Sequence, residues 1–162
     1  QVNQGVIAVD TMKGSGRREA KGTVGNANLL INYGSPGVRG RTIWNGLVSY
    51  DQVWSTGSHS ATSVSFDQPL MIGGTRIEAG RYGIFTIPKS NGWTWIINKN
   101  WNQHLADNYT PTDDVVRVEL PRETHPMTQR LTYEVESISA TEGKMIMKWD
   151  SVRVALPFQL AN

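Results

Sequence analysis

Three histidines, His59, His104 and His125, are the residues best suited to ligate a metal or carry a proton, and no His-x-His or His-x-x-x-His spacing joins them. No metal site is therefore expected. Cysteine is absent, which excludes thiol catalysis, zinc-thiolate sites and a disulfide framework. A serine nucleophile needs a base beside it and oxyanion donors in front of it, but no Gly-x-Ser-x-Gly occurs. His59 between Ser58 and Ser60 is not a dyad, because neighbours in extended chain point to opposite faces. Glycoside hydrolysis needs two carboxyl groups facing across a cleft, whereas Glu134 and Glu136 fall on the polar face of one strand and Asp113-Asp114 stands at the start of another. Gly22-Thr23-Val24-Gly25 lacks the Lys-Ser/Thr of a phosphate loop and reads as a strand end and a turn. No cofactor is expected.

Six tryptophans are the remaining chemical signal. Trp93, Trp95 and Trp149 fall within strand patterns, with Trp93 and Trp95 on one face and Ile96 on the other. Trp44, Trp54 and Trp101 fall in or beside loop-like stretches. An indole there can stack on a sugar or a partner side chain, its N–H donating at the edge, or it can close the open end of a sandwich.

Alternation of period two dominates the elements that must position these rings. Leu131, Tyr133 and Val135 alternate with polar neighbours, as do Met145, Met147 and Trp149, and again Val152, Val154 and Leu156. Ile146 gives the middle strand a second face that is not fully wet. Gly73-Gly74 predicts a two-residue hairpin, since paired glycines accept the positive φ that primed turns demand. Lys89-Ser90-Asn91-Gly92 joins strands over 81–88 and 93–99, and Thr141-Glu142-Gly143 joins the two strands after Arg130. With strands at 6–10, 17–24, 28–33, 61–66 and 114–120, about eleven or twelve short strands argue an antiparallel β-sandwich, jelly-roll-like. Two stretches, 41–54 and 100–112, read as long loops or short helical turns, where sites are commonly carried.

A chain of 162 residues is the size of one domain, and no linker or repeat divides it, so a single domain over 1–162 is expected. Its apolar runs are far shorter than the roughly 20 residues that span a bilayer. Sixteen basic against fourteen acidic residues is near balance. The cluster Lys13, Arg17, Arg18 and Lys21 reads as the charged outer face of a first strand, and no nucleic-acid partner is expected.

The landmarks Tyr33-Gly34-Ser35-Pro36-Gly37-Val38-Arg39-Gly40-Arg41, Val53-Trp54-Ser55-Thr56-Gly57, Ala79-Gly80-Arg81-Tyr82-Gly83-Ile84-Phe85 and Trp93-Thr94-Trp95-Ile96-Ile97-Asn98-Lys99 together resemble the bacterial DUF2911 family from about Asn28 to Phe158. That family is a domain of unknown function, so the resemblance implies a fold class and no activity. It also implies export: relatives generally carry a secretion signal, and with a chain that begins at Gln1 a periplasmic or secreted protein is expected. Relatives place arginine where this chain has Ser35 and Ser55 and an acid where it has Ser60, while Arg41 is kept. We therefore expect Ser35, Ser55 and Ser60 to lie close together near Arg41, marking an altered polar cluster.

The expected function is a non-enzymatic binding module for a glycan or protein partner in the bacterial envelope. Arg41, Trp44, Trp54, His59, Asn98 and Trp101 are its candidate ligand residues. The alternatives are a hydrolase acting on an envelope carbohydrate and a structural or self-assembling protein.

Overall fold

The computed structural model describes residues 16–57, 62–101 and 109–161; the strand expected at 6–10 lies outside them. Strands β1 (Gly16–Val24) and β2 (Ala27–Ser35) pair antiparallel about the two-residue turn Gly25-Asn26. β3 (Thr62–Phe66), β4 (Leu70–Ile72), β5 (Thr75–Ile77), β6 (Gly80–Pro88), β7 (Trp93–Asn98), β8 (Asp114–Leu120), β9 (Glu123–Ser137) and β10 (Glu142–Leu160) follow. They form a six-stranded sheet, β1-β2-β3-β6-β7-β8, and a four-stranded sheet, β5-β4-β10-β9, with every strand pair antiparallel. The inner faces of the two sheets enclose one core, in which Ile31, Val64, Ile84, Trp95, Met147 and Val154 are buried. This is the antiparallel β-sandwich that the alternation predicts. Among the described residues no helix is long and apolar enough to cross a membrane.

The hairpin β4–β5 leaves the six-stranded sheet and joins the other. Gly73 and Gly74 turn it with φ of +58° and +79°, and a Cβ on Gly73 would come within 2.8 Å of the Val118 side chain. The turn therefore needs glycine twice over, for its backbone and for its seat on β8.

β10 corrects the boundaries read from sequence. Met145–Trp149 and Val152–Leu156 belong to one hydrogen-bonded run, and Glu142 and Gly143 are in it and not in the preceding turn. Fully extended, Gly143 and Phe158 would stand about 50 Å apart. Yet a Cβ on Gly143 would touch the Phe158 ring at 2.7 Å, and the Leu160 N–H donates to the Thr141 carbonyl at 2.8 Å. The run must fold back on itself, and Asp150, at φ +56° between two register shifts against β9, marks the place. The buried positions switch there from odd (Met145, Met147, Trp149) to even (Val152, Val154, Leu156).

Both long loops are used to cover sheet. β3 pairs with β6 only from Gly80 to Ile84. Beyond it, Trp54 exchanges hydrogen bonds with Thr86 and Asp51 donates to Pro88, so 51–57 closes the rest of that edge. Asn100, Trp101 and Tyr109, from the two ends of the second loop, lie over the outer face of β6. A Cβ on Gly83 would be 2.9 Å from the Asn100 carbonyl, and Tyr109 packs on Phe85 with ring centroids 5.0 Å apart.

Candidate functional site

The predicted ligand residues divide between the two ends of β7. Trp44 and Trp54 join Trp93, at the first end, and Trp149 in one aromatic cluster. Trp44 meets Trp93 at 5.1 Å, Trp54 at 5.8 Å and Trp149 at 5.8 Å, all near perpendicular, and Trp54 stacks on Trp149 at 5.9 Å. Such edge-to-face pairs suit the ring quadrupole. Arg122 bounds the cluster, donating to the Tyr50 hydroxyl at 2.6 Å with its guanidinium 6.0 Å from the Trp44 ring. These tryptophans close the end of the sandwich.

Arg41 turns to its own loop, donating to the carbonyls of Val38 at 3.1 Å and Gly37 at 2.6 Å. Ser35 donates to the Leu131 carbonyl at 2.7 Å, and its own carbonyl accepts from Arg130, so Arg130 and not Arg41 is the arginine hydrogen-bonded to Ser35. The segment after Ser55 does pack against the segment carrying Ser35, since a Cβ on Gly57 would stand 3.1 Å from the Gly34 carbonyl. Ser60 and His59 lie outside the described residues.

Asn98 and Trp101 are at the other end of β7. Asn98 is fully buried: its amide donates to Asp114 at 2.8 Å and to the Thr110 carbonyl at 3.2 Å, and its oxygen accepts from the Asn100 N–H at 2.8 Å. The first of these bonds joins β7 to β8, and the other two tie the loop to the sheet. Trp101 is half-buried and lies over the Arg81 guanidinium, 3.8 Å from carbon to ring centroid. It borders a face on which Arg17, Glu19, Lys21 and Arg81 are exposed.

That face is the outer side of β1, β2 and β3 with the Arg81 end of β6, the rest of β6 lying under Asn100 and Tyr109. Register carries one polar row across the sheet, exposed at Glu19 and buried from Ser63 through Gly83 to Asn98: Glu19 opposite Asn32, Asn32 opposite Ser63, Ser63 opposite Gly83, Gly83 opposite Asn98, and Asn98 opposite Asp114. A parallel row runs Lys21, Leu30, Ser65, Arg81. Arg81 donates to the Ser63 hydroxyl at 3.2 Å, and Arg17 to the Asn32 side chain. Partial burial, and after it the charge of Arg81, hold the Arg17 pKa below its ordinary value. A shallow groove of about 640 Å³ runs over this face, lined by Lys21, Thr23, Asn28, Leu30, Ser65 and Gly80 among others. At its far margin Asp67 accepts from the Asn28 backbone at 2.7 Å and side-chain amide at 2.9 Å, and these bonds hold its carboxyl below the usual range.

A family model described as "Protein of unknown function (DUF2911)" matches residues 15–158, which takes in every strand but the last two residues of β10. The chain belongs to the DUF2911 family. No curated protein and no solved structure matches it. Membership in DUF2911 thus assigns no activity, and the functional reading of this DUF2911 chain rests on its own side chains.

Two groups of residues were not singled out as functional from sequence. The first is Asp114, read as an ordinary strand start. It accepts from the Tyr109 hydroxyl at 2.8 Å, Arg117 at 2.8 Å and Asn98, and Arg117 also donates to Tyr109 at 2.8 Å. Burial, and then the bond to Asp114, push the Tyr109 hydroxyl up to about 12. The second is the group of Arg17, Asn32, Ser63 and Arg81, joined by hydrogen bonds in two pairs, whose members come from four strands. Their alternation with buried neighbours was the available signal; their convergence was not. Among the described residues no three His, Asp or Glu side chains converge as metal ligands would.

Proposed function

We propose that this DUF2911 chain is a non-catalytic binding module of the bacterial envelope, periplasmic or secreted, that holds a glycan on the outer face of β1, β2, β3 and the Arg81 end of β6. The observation that carries the reading is the half-buried Trp101, stacked on Arg81 at the border of an exposed, polar, grooved sheet face. A flat ring beside hydroxyl and amide groups on a rigid sheet offers a sugar both a stacking surface and hydrogen bonds. Binding without turnover is favoured over hydrolysis because the acids held in contacts are engaged by cations or amides: Asp114 by Arg117 and Asn98, Glu119 by Lys89, Glu134 by Lys148, Asp67 by Asn28.

The test is a titration of the protein's tryptophan fluorescence with fragments of envelope polysaccharides. A saturable change that Trp101→Ala abolishes, with the unfolding midpoint nearly unchanged, supports a glycan surface. A flat response across the panel sinks it and shifts weight to a protein partner or self-assembly.

A further inference from the structure

We infer that the glycan held on this face is acidic, carrying carboxylates at intervals, and that Arg81 grips one of them. The inference rests on the glycan reading above and adds the ligand's charge.

Arg81 is fixed without being neutralised. Its Nε donates to Ser63 and its Cζ lies over the Trp101 ring, two contacts that position a guanidinium and leave its terminal N–H groups to a ligand. Three arginines pair with acids, Arg76 with Glu78, Arg117 with Asp114 and Arg153 with Glu123, whereas the exposed Arg18 and Arg39 lie off the Trp101 face without such a pair among the described residues. Arg81 has no such ion pair among the described residues, and the charge it acts on is a second cation, Arg17. Two guanidinium groups side by side repel, and an anion placed between them turns that repulsion into attraction. A carboxylate fits the edge of a guanidinium with two parallel hydrogen bonds.

Spacing selects the kind of anion. Lys21 stands on the same cross-strand row as Arg81, three strand spacings away, or about 14 Å. The row between them carries Leu30 and Ser65, and the margins carry the carboxylates of Glu19 and Asp67. A strand of nucleic acid, with a charge about every 3.4 Å, would set phosphates against neutral groups and against those acids. A glycan with carboxylates separated by hydroxyl-bearing rings matches cations separated by neutral groups.

The experiment titrates the purified chain with oligogalacturonate, a neutral galactose oligomer of equal length and a sulfated oligomer, at low and high salt. The uronate oligomer should bind at least tenfold more tightly than the neutral one at low salt, and the gap should close as salt rises. Arg81→Gln should erase the difference between the uronate and neutral oligomers measured on that same variant; Lys21→Gln should narrow it by a smaller factor. Equal binding of the uronate and neutral oligomers, or wild-type affinity in Arg81→Gln, overturns the acidic ligand while leaving the glycan surface standing. Tighter binding of the sulfated oligomer overturns the choice of carboxylate. If none of the three oligomers binds the wild-type chain, both readings fall.

Discussion

Asp114 is where the second loop, β7 and β8 meet, because one carboxylate with several lone pairs can accept from Asn98, Tyr109 and Arg117 together. Asp114→Ala removes that acceptor and leaves three donors to find water; a loss of about 1–3 kcal/mol is expected in urea denaturation. The same cluster gives a pH dependence whose sign can be worked out. Tyr109 ionises near 12 in the fold against an ordinary value near 10, so the folded state holds the proton more tightly. Its contribution is complete below about pH 10 and lost as pH rises through about 12. Tyr82 and Tyr133, also raised by burial, act in the same direction. The melting temperature should therefore fall between pH 10 and 12, and Tyr109→Phe should reduce the slope without removing it; an identical slope in the variant would refute the assignment.

At the scale of the element, β10 rests on one backbone angle. Asp150 holds φ at +56°, a region that glycine enters freely and a β-branched residue enters at a cost of about 1–2 kcal/mol. Asp150→Gly should leave stability unchanged or slightly raised, and Asp150→Val should lower it by at least that cost, measured by thermal unfolding. Equal effects from the two substitutions would mean that the reversal is held elsewhere. Thr56 presents the opposite case: a β-branched residue at φ +59°, fixed because its hydroxyl bonds Trp54 and Thr86 while its carbonyl accepts from Thr62 and Tyr133. Those four partners come from both sheets and the covering loop, so the strained residue is a tie between layers.

For the whole molecule, the tryptophans separate into closure and surface. Trp44→Ala would open the end of the sandwich and expose Trp54, Trp93 and Trp149, costing about 3 kcal/mol. Trp101→Ala removes a half-buried ring from a loop and should cost less than about 1 kcal/mol. Denaturation of the two variants side by side distinguishes them, and comparable losses would place Trp101 in the structural core of the domain. Among the described residues the indole N–H groups of Trp44, Trp93 and Trp95 have no acceptor, a cost compatible with a perpendicular packing in which ring edges meet ring faces.

Sequence by itself determined the strands, their inward faces, the glycine hairpin and the family, because period-two burial and positive-φ turns are local consequences of residue type. It placed Trp93 and Trp95 on one face with Ile96 on the other, and the structure turns the tryptophan face to the core. It also held a trace of the β10 reversal in the odd-to-even switch about Asp150, although one continuous strand was not legible there. Only the tertiary structure decided which loop residues are structural and which face is open. Arg41 and Asn98 read as ligand groups, and the carbonyls and carboxylate that take up their hydrogen bonds belong to their own turn or to another strand. Arg17, Asn32, Ser63 and Arg81 read as outward strand residues, and sheet order alone makes them neighbours. Strand order is set by long-range pairing across the sandwich, and no local pattern in a chain encodes which outward faces that pairing brings together.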